Sequence, residues 1–270
     1  MSPELHTLDV AGVGRSYLLA APTGDAAAVL LSLHGTRSSA RGQVRLSRMA
    51  SLAEDAGAVV AFPQAVVPIG SGFEWDPVAD LAYLHALVTE LLRRYPVPGG
   101  RVGITGMSGG ARMACRFAAA EPGAVAFVGA VAGLRGPDVP ALERPVPVLA
   151  FHGTADRINP YGGSGTARWD ESVPDAARRW AAANGVPPEP TTTEVGSSLT
   201  RTTYGGEGGP GEVTLWTARG AGHTWPGTRL GPLLRLFLGR TTTEIDATAQ
   251  LWSFARSHAG GVPPGEAGRS

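Results

Sequence analysis

The 270-residue chain contains no lysine, a single cysteine and no apolar run long enough to span a bilayer. Without lysine, a P-loop phosphate site and Schiff-base catalysis are excluded, because both depend on its amine. With Cys115 alone no intramolecular disulfide can form, which fits a reducing compartment. Net charge is missing too: 23 basic residues, all of them arginine, balance 23 acidic ones. That balance offers no electrostatic footprint for nucleic acid or an anionic membrane. The opening stretch, MSPELHTLDVAGVGRSYLLAAPTG, lacks a charged region followed by a long apolar core. No secretory signal is read there, and the cytoplasm is the expected location. No pair of His or Cys residues stands at metal-ligand spacing and acidic clusters are lacking, so neither a metal nor another cofactor is expected.

Glycine and apolar residues are abundant: 38 glycines and a 43% hydrophobic content, enough for a sizeable core. Short apolar runs at 27–35, 58–65, 101–108, 126–133, 146–153 and 212–220 read as buried strands. Helical spacing falls between and after them, at 76–95, 109–120, 174–184 and 245–258. Alternating strands and helices imply an α/β fold, a mostly parallel central sheet with helices on both faces. Residues 186–211, rich in Pro, Thr and Gly, read as a loop plus one short strand. The expected organisation is one domain over 1–259, with a disordered tail over 260–270.

The chemistry centres on VGITGMSGG. Gly106-Met107-Ser108-Gly109-Gly110 has the form Gly-x-Ser-x-Gly, in which small residues let a serine sit on a sharp strand-to-helix turn. A glycine-rich chain produces such a pentapeptide easily, and a turn serine capping the next helix is the plain alternative. Here a strand precedes it and a helix follows, which favours a nucleophile. A serine hydroxyl needs a general base. Among six histidines, His6, His85 and His258 lie in strand or helix patterns, and His34 and His152 end strands. His223, in the glycine-rich GAGHTWPG after the last strand, is free to reach over a site, and is the expected base. The acid candidates are Asp138, Asp156, Asp170, Glu171 and Asp175. Asp156 in AFHGTAD follows a strand end as Ser108 does, and Ser108, Asp156, His223 is a hydrolase chain order. Asp170 and Asp175 remain alternatives. Oxyanion donors are expected from the N–H groups of Gly109 and of Thr36 in LHGTRSS.

These stretches, with AFPQA, VLAFHGTADRINPYGG and RTTTEIDATAQLWSFARSH, resemble the polyhydroxybutyrate depolymerase and feruloyl-esterase-like branch of the α/β-hydrolases. The resemblance runs from Arg15 to His258 and is most specific at HGTAD and GHTWPG. It implies an α/β-hydrolase fold and a cofactor-free carboxylic ester hydrolase. The implied triad is Ser108, Asp156 and His223, with an oxyanion hole beside His34-Gly35-Thr36. Secreted members carry disulfides near the HG loop and the aromatic loop; here those regions read HGTRSS and GFEWDP, without cysteine. Polymer depolymerases also tend to carry a binding module or linker, and none is read here. The expected substrate is therefore a small soluble ester or oligoester.

Trp75 in FEWDP and Trp225, two residues after His223, are candidate substrate contacts, each with core packing as the alternative. Residues 230–238 form an apolar segment read as pocket wall, lid or core. A peptidase or a dienelactone-hydrolase-like enzyme would share fold and triad. A non-catalytic hydrolase-fold binding protein would normally have lost a triad member, and none is lost here.

Overall fold

The computed structural model describes residues 2–229 and 231–258, and the expected tail over 260–270 lies outside them. In chain order the strands are β1 (Glu4–Val10), β2 (Val13–Ala20), β3 (Ala28–Leu33), β4 (Ala58–Pro63), β5 (Val67–Ile69), β6 (Gly72–Glu74), β7 (Val102–Met107), β8 (Val125–Val131), β9 (Val148–Gly153), β10 (Thr191–Val195), β11 (Leu199–Tyr204) and β12 (Val213–Ala218). The helices are α1 (Ala40–Ser47), α2 (Leu52–Ala56), α3 (Ala79–Arg94), α4 (Gly109–Ala120), α5 (Val173–Ala183), α6 (Pro232–Leu238) and α7 (Ala247–His258).

Ten strands form one sheet in the order β1-β2-β4-β3-β7-β8-β9-β12-β11-β10. All six apolar runs became its parallel centre, β4-β3-β7-β8-β9-β12. Every residue of those strands is buried, as a sheet covered on both faces requires. Side chains alternate between two cores. Val29, Leu31 and Leu33 of β3 pack with Leu84, Leu87 and Val88 of α3, Phe117 of α4 and Trp180 of α5. Ala28 and Leu30 pack with Leu52 of α2 and with Leu251 and Phe254 of α7 on the opposite face.

Antiparallel hairpins flank this centre. β1 and β2 join through Ala11 and Gly12, both at positive φ, and β2 runs antiparallel to β4. At the other edge, the 186–211 stretch carries two strands where one was expected. β10 pairs with β11, and β11 with β12. β10, TTTEV, is exposed on both faces and so carries no apolar signal. Helix α3 starts three residues later than its apolar spacing suggests, because the Asp76 carboxylate accepts the N–H groups of Val78 and Ala79 in a turn before it.

Candidate active site

Parallel strands all point one way, so the loops leaving β3, β7, β9 and β12 gather at a single sheet edge. Ser108 follows β7 with φ 53° and ψ −114°, a conformation costing about 1–3 kcal/mol in a non-glycine residue. Its neighbours leave no room for side chains. A Cβ on Gly106 would strike the backbone of Gly110, and one on Gly110 would strike the carbonyls of Leu33 and His34. Ser108 is fastened by its own N–H on Val131 O (2.8 Å) and by Arg112 N–H on its carbonyl (3.0 Å). The loop after β3 lies against this turn: a Cβ on Gly35 would sit 3.5 Å from Ser108 Cβ. Thr36 adjoins Gly109 so closely that a Cβ there would come 3.0 Å from Thr36 N. The two expected oxyanion donors are thus brought together.

Asp156 and His223 also meet. His223 Nδ1 lies 2.7 Å from Asp156 Oδ2, and both side chains are buried. Asp156 Oδ1 accepts the N–H groups of Ile158 (2.8 Å) and Asn159 (2.9 Å). His152 was read only as a strand end, yet its Nε2 donates to Asn159 O at 2.8 Å and lies 3.3 Å from Asp156 Oδ2. Burial pushes the Asp156 carboxyl up, but hydrogen bonds from His152 and His223, the His223 charge and the Asn159 N–H outweigh it. The carboxyl is held well below the usual carboxylate range.

The rival acids are occupied elsewhere. Asp170 pairs with Arg135, Glu171 and Asp138 with Arg179, and Asp175 with Ser172 and Arg178. The remaining histidines are structural: His6 stacks on Tyr17, His85 pairs with Glu121 at the surface, and His258 faces Glu212.

His34 supports the loop that carries Thr36. Its Nδ1–H donates to Gly35 O (2.9 Å), and its Nε2 accepts from Ala65 N (3.2 Å) and Gln64 Nε2 (3.1 Å). Trp75 donates to His34 O at 2.7 Å. Burial pushes the His34 imidazole down to about 4, against the smaller opposing pull of Gly35 O. The unfolded chain therefore takes up a proton between about pH 6.5 and pH 4 that the folded protein refuses, and stability falls as pH drops through that window. His34 should account for about 3 kcal/mol of the loss between pH 7 and pH 4. Urea unfolding at both pH values should show a loss smaller by that amount in His34→Gln. Equal losses in both proteins would contradict the assignment.

A cavity of about 550 Å³ opens beside the paired donors, lined by Thr36, Gly109 and Trp75 together with Arg112, Met113 and Arg135. Trp75 lines that cavity and is at the same time a core residue on the α3 face of the sheet, 8% exposed. Trp225 is not: it is 0% exposed, packs in the core beneath α7 and donates to Thr248 Oγ1 at 3.1 Å. The expected substrate contact there is corrected to a packing tryptophan, since the chain turns that side chain inward two residues beyond His223. The 230–238 segment is not core either. Leu230 lies outside the described residues, while Leu233 and Leu236 of α6 are 70% and 77% exposed. No α6 residue lines the cavity beside Thr36, although Leu238 O accepts the His223 backbone N–H at 2.6 Å. Among the described residues, no group of three or more His, Cys, Asp or Glu side chains could hold a metal ion, and no helix is long and apolar enough to cross a membrane.

The mostly parallel sheet between two helical layers, with a strained serine turn after β7 and the loops after β3, β9 and β12 at the same edge, has the α/β-hydrolase fold. The acetyl xylan esterase structure from Aspergillus awamori shares that fold, with a TM-score of 0.63 and 18% identity over 82% of this chain and 94% of that one. No family model matches the chain. In sequence it is 32% identical over 250 residues to "Putative esterase NocK" of Nocardia uniformis subsp. tsuyamanensis, covering 81% of this chain and 72% of that protein. Feruloyl esterase B of Piromyces equi is 28% identical over 230 residues, 77% of this chain but 42% of its own length. The chain belongs to the esterase family that includes NocK, and it is an ester-hydrolysing enzyme.

Proposed function

We propose that the chain is a serine carboxylic ester hydrolase, working as one catalytic domain over 1–259 on a small soluble ester or oligoester. His223 takes the proton of Ser108 as the hydroxyl attacks the ester carbonyl. Gly109 and Thr36 N–H groups receive the oxyanion. His223 then protonates the leaving alcohol, and water repeats the sequence on the acyl-enzyme. Asp156 keeps the His223 proton on Nδ1, so that Nε2 is the basic nitrogen. The observation that carries the reading is the buried 2.7 Å contact between His223 and Asp156, reached from loops that end on the same sheet edge as Ser108. The cavity of about 550 Å³ has the size of a small-molecule site. The same proposal places the enzyme in the cytoplasm, consistent with a single cysteine, Cys115, which can form no intramolecular disulfide.

A panel of p-nitrophenyl acetate, p-nitrophenyl butyrate and methyl ferulate tests the reading. At least one should be hydrolysed with kcat/KM of about 10⁴ M⁻¹ s⁻¹ or more, the lower range of ordinary enzymes. Turnover of none of them, by folded protein at neutral pH, would remove its basis.

A further inference from the structure

The mechanism above leaves one group of side chains without work. Three buried polar atoms that have no hydrogen-bond partner among the described residues, Thr36 Oγ1, Arg112 Nη1 and Arg135 Nη1, belong to residues lining the same cavity. Among the described residues Arg112 makes no side-chain hydrogen bond and no ion pair; burial pushes its guanidinium down to about 10, against the smaller opposing pull of the Glu74 charge, which still leaves it charged at neutral pH. Arg135 is fixed from behind: its Nη2 donates to Asp170 (2.6 Å) and its guanidinium lies 5.5 Å from the Trp169 ring. A guanidinium nitrogen shut off from water without an acceptor is expensive to maintain, and two such nitrogens, on half-buried Arg112 and on Asp170-paired Arg135, mark a place for an anion beside one cavity.

Position along the chain says where that anion belongs. Arg112 is one helical turn beyond Ser108 on α4, a rise of about 6 Å, and its N–H is bonded to the Ser108 carbonyl. The cavity runs from the oxyanion donors Thr36 and Gly109 to Arg112 and Arg135, and neither His223 nor its loop lines it. The leaving alcohol must collect a proton from His223 and so departs on the other side. On that mechanism the cavity, which reaches Gly109 beside Ser108 but is not lined by Ser108 itself, is the acyl side.

We propose that the acyl group hydrolysed by this enzyme ends in a carboxylate, which Arg112 and Arg135 receive while Ser108 attacks the ester at the other end. The substrates are half-esters of short dicarboxylic acids. This rests on the Ser108 reading above and adds a substrate class to it.

Monomethyl succinate, glutarate and adipate, compared with methyl butyrate, valerate and caproate by pH-stat titration, test the assignment. The best half-ester should exceed its uncharged counterpart in kcat/KM by about tenfold or more, the worth of a charge-assisted hydrogen bond. Arg112→Gln should cut that ratio by about tenfold. In the wild-type protein, added salt should reduce it as well, a measurement that needs no variant. A ratio at or below one for all three spacers, with the neutral esters hydrolysed, overturns the carboxylate pocket and leaves the esterase reading standing. Should none of the six be hydrolysed, calorimetric binding to Ser108→Ala decides the pocket separately. Tighter binding of the half-esters supports it, and equal binding overturns it.

Discussion

Ser108→Ala is expected to lower kcat for ester hydrolysis by about 10⁵- to 10⁶-fold while leaving the fold intact. On the proposed mechanism the hydroxyl is the attacking group, and no neighbouring side chain can replace it. Alanine at this position keeps the same backbone strain, because φ 53° is set by the packing of Gly106, Gly110 and Gly35 around the turn, none of which changes. The melting temperature should move by no more than about 3 °C, the scale of a small local change in a domain of this size. A residual rate of about 10³ over water should survive from the oxyanion donors and binding alone. Steady-state kinetics beside a thermal melt separate a lost nucleophile from a lost structure. Near-normal kcat in folded Ser108→Ala would mean another residue attacks.

Asp156→Asn should cost about 10⁴ in kcat, for a reason that can be followed atom by atom. Oδ1 of Asp156 accepts the N–H groups of Ile158 and Asn159, at 2.8 and 2.9 Å. An asparagine would keep its carbonyl oxygen toward those two donors, which turns its NH₂ toward His223. His223 Nδ1 must then accept a hydrogen bond, and the imidazole proton moves to Nε2. In that tautomer Nε2 cannot take the Ser108 proton. The loss should therefore appear in kcat, with substrate binding little changed. The carboxylate also bears on stability. Because its folded pKa lies below its unfolded value of about 3.9, its contribution is present above that pH and is lost as pH falls toward the lowered value.

The central strands were legible because burial on both faces leaves a continuous apolar run. AAVLLSL and VPVLAF can hardly be anything else between turn residues. The hairpin strands at the edges were harder to see. β10 is made of threonines that face solvent, and nothing in TTTEV separates an edge strand from a loop. Glycine punctuation located the serine turn, since Gly106 and Gly110 are required by contacts with backbone rather than by chain flexibility. The meeting of Asp156 with His223 followed from strand ends in a parallel sheet. Side-chain direction did not follow from spacing. Trp225 lies two residues from His223 and yet points into the core, anchored on Thr248. His152 was recognised as a strand terminus, but its contact with the Asp156 carboxylate depends on the turn through Asn159, which only the three-dimensional path reveals. Nothing in the sequence of α4 sets Arg112 apart. What distinguishes it is a buried Nη1 with no acceptor among the described residues, a property no linear pattern encodes.

The most direct test of the nucleophile is covalent capture. Incubation with a fluorophosphonate probe, followed by intact mass measurement and peptide mapping, should show one adduct per chain, located on Ser108. Labelling should vanish in Ser108→Ala and slow sharply in Asp156→Asn, whose histidine carries the wrong tautomer. An unmodified protein, or an adduct on any other residue, would contradict the account.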